Sequence, residues 1–213
     1  RPVLAGLDLT VAPSDKIALV GREHLAKTAL FRILAGEDTP DAGTVAWGQT
    51  IAWAYFPREN ARMFETDLPL VDWLAQYSTS DDPTFVRSFL GRMLFSGDEG
   101  LKPVRVLPGG ERVRCLLARL MLSGANCLLL DEPTQHLDLE AIEALDEGLV
   151  DFPGVLVFTS HDHEFVTSIA NRIVEICPGG VIDRRMGFDE YLVDPKVAEL
   201  RDRYYRGHVV AEI

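Results

Sequence analysis

Three short runs carry residue types that could act together on a phosphate ester. Gly21-Arg22-Glu23-His24-Leu25-Ala26-Lys27-Thr28 lies between an apolar strand pattern and a helical one. A loop in that place can aim backbone N–H groups at a phosphate, with a helix N-terminus behind them. Lys27 supplies a cation for β- and γ-phosphates, and Thr28 a hydroxyl for Mg2+. Gly21, Lys27 and Thr28 fit that pattern, whereas Ala26 stands where a second glycine would precede the lysine. Read alone, the run is equally an ordinary strand–turn–helix. The second run, Leu128–Glu132, is an apolar strand ending in two carboxylates. Asp131 can join a Mg2+ shell, and Glu132 can orient and deprotonate an attacking water. A solvated acidic turn is the structural alternative. The third run is Thr159-Ser160-His161-Asp162-His163. Its two histidines, with no third ligand nearby in the chain, make a poor zinc signal.

The elements that must position these groups follow from periodicity. Lys16–Val20, Asn126–Leu130 and Val155–Thr159 are apolar enough to be central strands, so each delivers its following loop to the carboxyl edge of one sheet. Glu132 and His161 are therefore expected to face Lys27 and Thr28 across a single cleft. Val3–Val11 alternates and reads as a strand, and Thr44–Trp47 and Ile51–Phe56, joined by Gly48–Thr50, read as two more whose pairing suggests a small antiparallel sheet beside the main one. Helical spacing covers Thr28–Leu34, closed by Gly36, and Leu68–Tyr77 and Pro83–Phe95, which suggest a helical subdomain over about 60–105. Further helices are read at Glu111–Leu122, Leu139–Val150, Glu164–Ala170 and Tyr191–Tyr205. A final strand pair, Arg172–Ile176 and Val181–Arg184, flanks Pro178-Gly179-Gly180. Strands alternating with helices predict an α/β fold with a mostly parallel sheet covered on both faces.

Composition sets the limits. The 213 residues suffice for one core with a small appended subdomain, and the 47% apolar content argues against general disorder. No apolar run reaches the roughly 20 residues of a membrane span. No secretory leader pattern opens the chain, and the start at Arg1 without Met suggests an excised fragment. Cys115, Cys127 and Cys177 are widely spaced and read as buried reduced thiols of a cytoplasmic protein. With 21 basic against 33 acidic residues, a formal charge of −12, the chain offers no diffuse nucleic-acid footprint.

Taken together, the runs resemble the ATP-binding-cassette ATPases. Leu130-Asp131-Glu132-Pro133-Thr134-Gln135-His136-Leu137-Asp138 looks like their Walker B segment and D-loop, with Asp138 the D-loop acid. Leu107-Pro108-Gly109-Gly110-Glu111 looks like the signature, and Thr159–Asp162 like the switch-histidine loop. Four motifs in order, spread over nearly the whole chain, make the resemblance specific. His136-Leu137-Asp138 and His161–Phe165 place it nearest the second cassette of the soluble ABC-F proteins. That resemblance implies a P-loop fold, binding of ATP with Mg2+ and hydrolysis. It makes Glu132 the base, His161 the γ-phosphate sensor and Thr28 and Asp131 the Mg2+ ligands. Residues 21–28 and Arg58, at the Q-loop position, would hold nucleotide. Pro108–Glu111 would act on the nucleotide of a second cassette in a head-to-tail pair. A cytoplasmic location and ribosome association are implied with it. His163 is expected on the surface.

Departures from the family pattern fall on nucleotide contacts. Glu23, His24 and Ala26 occupy the Asn, Gly and Gly positions of the loop, Pro108 the signature serine and Arg58 the Q-loop glutamine. A Cβ at a left-handed position costs about 1–2 kcal/mol. Two functions stay open on these residues: an ATPase cassette, or a cassette that folds and pairs but binds nucleotide poorly. A third, the motor of a membrane transporter, needs a coupling surface on the helical region, for which the sequence carries no recognisable pattern.

Overall fold

The apolar strand runs meet in one six-stranded sheet. The computed structural model describes residues 3–58, 61–80, 82–135 and 137–206. In chain order the elements are β1 (Lys16–Val20), α1 (His24–Leu34), β2 (Trp53–Phe56), α2 (Leu70–Ala75), α3 (Pro83–Arg92) and α4 (Gly109–Leu122). They continue with β3 (Cys127–Asp131), α5 (Leu139–Val150), β4 (Val155–Thr159), α6 (His163–Ile169), β5 (Arg172–Cys177), β6 (Gly180–Arg184), α7 (Phe188–Val193) and α8 (Pro195–Tyr205). The sheet order is β2-β3-β4-β1-β5-β6. All pairings are parallel except β5 with β6. This is the mostly parallel α/β architecture the sequence predicts.

Because strand side chains alternate, the central strands supply two cores. Ile17, Leu19, Leu129, Val157 and Val174 pack on one face with Leu30 and Phe31 of α1. Ala18, Leu128, Leu130, Leu156 and Phe158 pack on the other with residues of α4, α5 and α6. That second core extends into the helical region through Phe64, Leu70, Trp73, Leu74, Val86 and Leu90. Leu70 N–H donates to the Lys102 carbonyl and Val104 N–H to that of Leu68, closing the region onto itself. The three cysteines are free and buried. No helix among the described residues is long and apolar enough to cross a membrane.

Five expectations are corrected. Val3–Val11 forms no ladder: Leu4, Leu7 and Leu9 do pack on the α1 face, but the backbone stays irregular. Thr44–Trp47 forms no strand either, and Ile51–Phe56 shrinks to β2, parallel to β3. The cause is Asn126, whose side chain accepts from Ala52 N–H and donates to the Thr50 carbonyl, drawing this segment onto the main sheet. The antiparallel pairing of the sheet lies instead at β5 and β6. Tyr191–Tyr205 is two helices, because Pro195 cannot continue the first and Asp194 caps the second through Val197 N–H. Finally, α1 starts at His24 rather than Thr28 and ends in a Schellman closure, with Glu37 N–H on the Arg32 carbonyl and Gly36 at φ +72°.

At the amino edge of the sheet, Asp15 accepts from Arg172 Nη1 at 2.7 Å, Arg185 Nη1 at 2.5 Å and Ala12 N–H at 2.9 Å. Arg172 also clamps Asp183 on β6 and donates to the Thr10 carbonyl. Both Asp15 and Arg172 are buried. Removing one partner of such a pair strands the other's charge. Asp15→Ala is expected to lower unfolding free energy by about 3 kcal/mol, measured by denaturant titration.

Candidate functional site

The strands β1, β3 and β4 run parallel and end at one edge, so the three chemistry-bearing runs emerge together. Beyond β1 the chain turns at Gly21, with φ +121°. A Cβ there would lie 2.3 Å from the Ile176 carbonyl oxygen, so only glycine passes. Glu23 is the N-cap of α1 but makes no side-chain cap hydrogen bond, and no acid sits in the first turn. The first-turn amides, which lack partners within the helix, therefore stay available to an anion. From Arg22 to Thr28 no residue has a positive φ. The left-handed penalty therefore applies at neither of the two glycine positions, because His24 and Ala26 adopt ordinary backbone conformations.

Lys27 is buried at 6% exposure and makes no ion pair among the described residues. Burial lowers its pKa, against the opposing pull of Glu132 and Asp131. Thr28 Oγ1 donates to Asp131 Oδ2 at 3.1 Å. The other Asp131 oxygen, Oδ1, accepts from Thr159 Oγ1 at 3.0 Å, and that hydroxyl accepts from Glu132 N–H at 2.9 Å. Glu132 adopts φ +54°, an uncommon conformation for a side chain with a Cβ, which costs about 1–3 kcal/mol. Its carboxylate is buried, and neither oxygen accepts a hydrogen bond among the described residues. His161 Nε2 is 3.3 Å from Oε1 but out of hydrogen-bonding geometry. Burial raises the Glu132 pKa, with His161 and Lys27 pulling it back and Asp131 adding to it.

His161 is largely exposed and stands against His24, ring centroids 5.1 Å apart. Its loop is pinned by Ser160 Oγ, 2.9 Å from Thr134 Oγ1 and accepting from Asp162 N–H. Arg58 is exposed, yet near enough for its charge to lower the pKa values of His24 and Lys27. Thus Gly21, His24, Lys27, Thr28, Arg58, Asp131, Glu132 and His161 come together, as the sequence predicts. Other candidates do not contribute side chains. Arg22 stacks over Tyr205 at 5.0 Å, and Leu25 is exposed to solvent. Pro108 is the N-cap of α4, with Gly109, Gly110 and Glu111 in its first turn. Among the described residues these four make no hydrogen bond or ion pair with the loop at 21–28. Asp138 caps α5 through Ala141 N–H, and His136 lies outside the described residues. Sequence reading missed Thr159, whose hydroxyl holds both carboxylate-bearing residues, because threonine at a strand end carries no signal of its own.

Comparison with known proteins adds context. A family model described as ABC transporter matches residues 4–135. The chain is 55% identical over 204 residues to the ABC transporter ATP-binding protein YkpA of Bacillus subtilis (strain 168), covering 93% of this chain and 38% of that protein. It is 42% identical over 192 residues to the ATP-binding protein YbiT of Escherichia coli O157:H7, covering 90% and 36%. The chain therefore spans little more than a third of these relatives' length. A solved inward-facing metal-chelate type ABC transporter matches with a TM-score of 0.71 at 21% identity, over 92% of this chain and 82% of that one, which shows a shared fold.

The buried Glu132 generates a pH prediction. A carboxyl whose folded-state pKa is raised favours the native state below its unfolded pKa and loses that contribution as pH rises through the folded value. Glu132→Gln removes the cost of burying the charge. The variant is expected to melt above the parent at neutral pH, with the gap closing as pH falls below the ordinary glutamate range. Thermal melts across pH measure it.

Proposed function

Since the chain belongs to the ABC transporter family of ATP-binding proteins, we propose that it is a single nucleotide-binding cassette of the ABC-F type. On this reading residues 1–213 form one cassette, with the helical region at about 60–105 inserted between the phosphate-loop half and the signature half. One observation carries it: a buried Lys27 that makes no ion pair among the described residues, beside Asp131 and Glu132 at a start of α1 without a side-chain cap. A buried cation lacking an ion-pair partner suits an anionic ligand.

Thr28 and Asp131 offer hard oxygen donors side by side, the donor chemistry that Mg2+ prefers. When bound, Mg2+ would neutralise charge on the phosphate oxygens. The amides from His24 to Ala26 and the Lys27 ammonium would hold the β- and γ-phosphates, and Arg58 would add positive charge at the rim. Glu132 would take the proton of the attacking water, its raised pKa bringing it nearer to neutral operation. His161, next to Glu132, would donate to the γ-phosphate. Among the described residues Pro108–Glu111 make no hydrogen bond or ion pair with this chain's own loop, which favours action on the nucleotide of a second cassette in a head-to-tail pair. Ribosome association and a cytoplasmic location follow from the ABC-F resemblance alone.

A second reading, a cassette that pairs but holds nucleotide weakly, draws on Glu23 at the α1 cap and Pro108 at the α4 cap. The first sets negative charge at the phosphate end, and the second removes a hydroxyl and an N–H. Calorimetry with MgATP on this chain separates the two. The ATPase reading expects measurable binding, weakened roughly tenfold or more by Lys27→Ala. Glu132→Gln should retain binding while lowering turnover by about 100-fold once a partner cassette is supplied. No binding by the parent chain selects the second reading. Binding insensitive to Lys27→Ala overturns the site assignment.

A further inference from the structure

By sequence, His161 and His163 invite comparison as a metal pair that lacks a third ligand. The structure divides them. His163 turns to Asp189, with Nε2 3.2 Å from Oδ1, and lies against the Phe188 ring. His161 instead meets His24, brought from the far side of the cleft, and Glu132 beneath it. One ligand atom each of His24, Glu132 and His161 lies within 4.8 Å of the others. We propose that these three side chains form a binding site for a divalent transition metal of the zinc class, with two imidazoles, one carboxylate and an open coordination position.

The geometry fits that chemistry. Zinc bonds to nitrogen and oxygen of about 2.0–2.1 Å set tetrahedral ligand atoms about 3.3 Å apart. His161 Nε2 and Glu132 Oε1 already stand at 3.3 Å. Closing the remaining separations takes about 1.5 Å of motion, and both imidazoles are on exposed side chains free to swing. The three backbones are held: His24 by the first turn of α1, Glu132 by Thr159, and His161 through the Ser160–Thr134 contact.

An independent observation points to a cation. Both Glu132 oxygens are buried and accept no hydrogen bond among the described residues. A buried carboxylate without donors is costly unless a positive partner meets it. Imidazole ligands select zinc-class metals over Mg2+, whose donors here are the Thr28 and Asp131 oxygens, so the two sites are chemically distinct. A metal on this triad would occupy the carboxylate and the imidazole that act on water and phosphate, and so restrain hydrolysis. That consequence rests on the nucleotide reading, whereas the metal site does not.

Titration of the metal-free chain with Co2+ alone, without nucleotide, tests it. Ligand-field absorption of four- or five-coordinate Co2+, displaced by Zn2+, is the expected result. His24→Gly and His24→Gln should each weaken binding by roughly tenfold or more, while circular dichroism confirms an intact fold, and His163→Asn should leave it unchanged. Weak six-coordinate absorption, thiolate charge-transfer bands, or binding indifferent to both His24 variants would overturn the proposal. Co2+ binding of the expected kind in a chain that ignores ATP would leave the metal site standing and remove only the nucleotide reading.

Discussion

The hydroxyl of Thr159 is the contact on which the arrangement of the cleft turns. It donates to Asp131 and accepts from the backbone N–H of Glu132, so one buried oxygen at the end of β4 fixes two consecutive residues at the end of β3. Register makes this possible, since Asp131 and Thr159 are paired across the two strands. Asp131 then keeps its other oxygen for Thr28, which ties the start of α1 into the same chain of bonds. Glu132 is left in a left-handed conformation, buried, with both oxygens short of donors. The hydroxyls and the backbone N–H around it are hydrogen-bonded, whereas the Glu132 carboxylate accepts no hydrogen bond among the described residues.

The opposite edge of the sheet shows the contrary pattern. Asp15, Arg172 and Asp183 satisfy one another, Asn171 joins Lys16 N–H to the Ser14 carbonyl, and Asn126 stitches the entry to β2. Side chains at the amino ends of the strands close backbone and charge there. The carboxyl ends carry a buried lysine without an ion pair and a carboxylate without a hydrogen bond among the described residues. Stability is concentrated at one edge and unmet electrostatic demand at the other, the asymmetry that open parallel sheets use to place their ligands.

Much of this was legible in the residues. Apolar runs gave β1 and β4 their full extent, and α5 follows from its spacing and from Asp138, which caps it. The convergence of Lys27, Thr28, Asp131, Glu132 and His161 followed from three central strands sharing one direction. What failed depended on partners distant in sequence. Val3–Val11 alternates as a strand should, but alternation reports which side chains face the core and not whether a neighbour offers hydrogen bonds. Ile51–Phe56 went to the main sheet because of Asn126, more than seventy residues away. The terminal helix was a local error, since Asp194-Pro195 is a stop and a cap within its own segment. His24 read only as a missing glycine, because no spacing rule links it to His161 across the cleft.

The early start of α1 has a consequence for how this loop can change. With ordinary helical backbone from His24 onward, and Gly21 alone held by the Ile176 carbonyl, shape and side-chain identity are separated. Gly21 carries the steric requirement and Ala26 is packed into the core, while Arg22–Leu25 between them carry only chemistry. Such a loop is a fixed frame with interchangeable lettering: its charge, polarity and metal preference can be rewritten without disturbing the path of the chain.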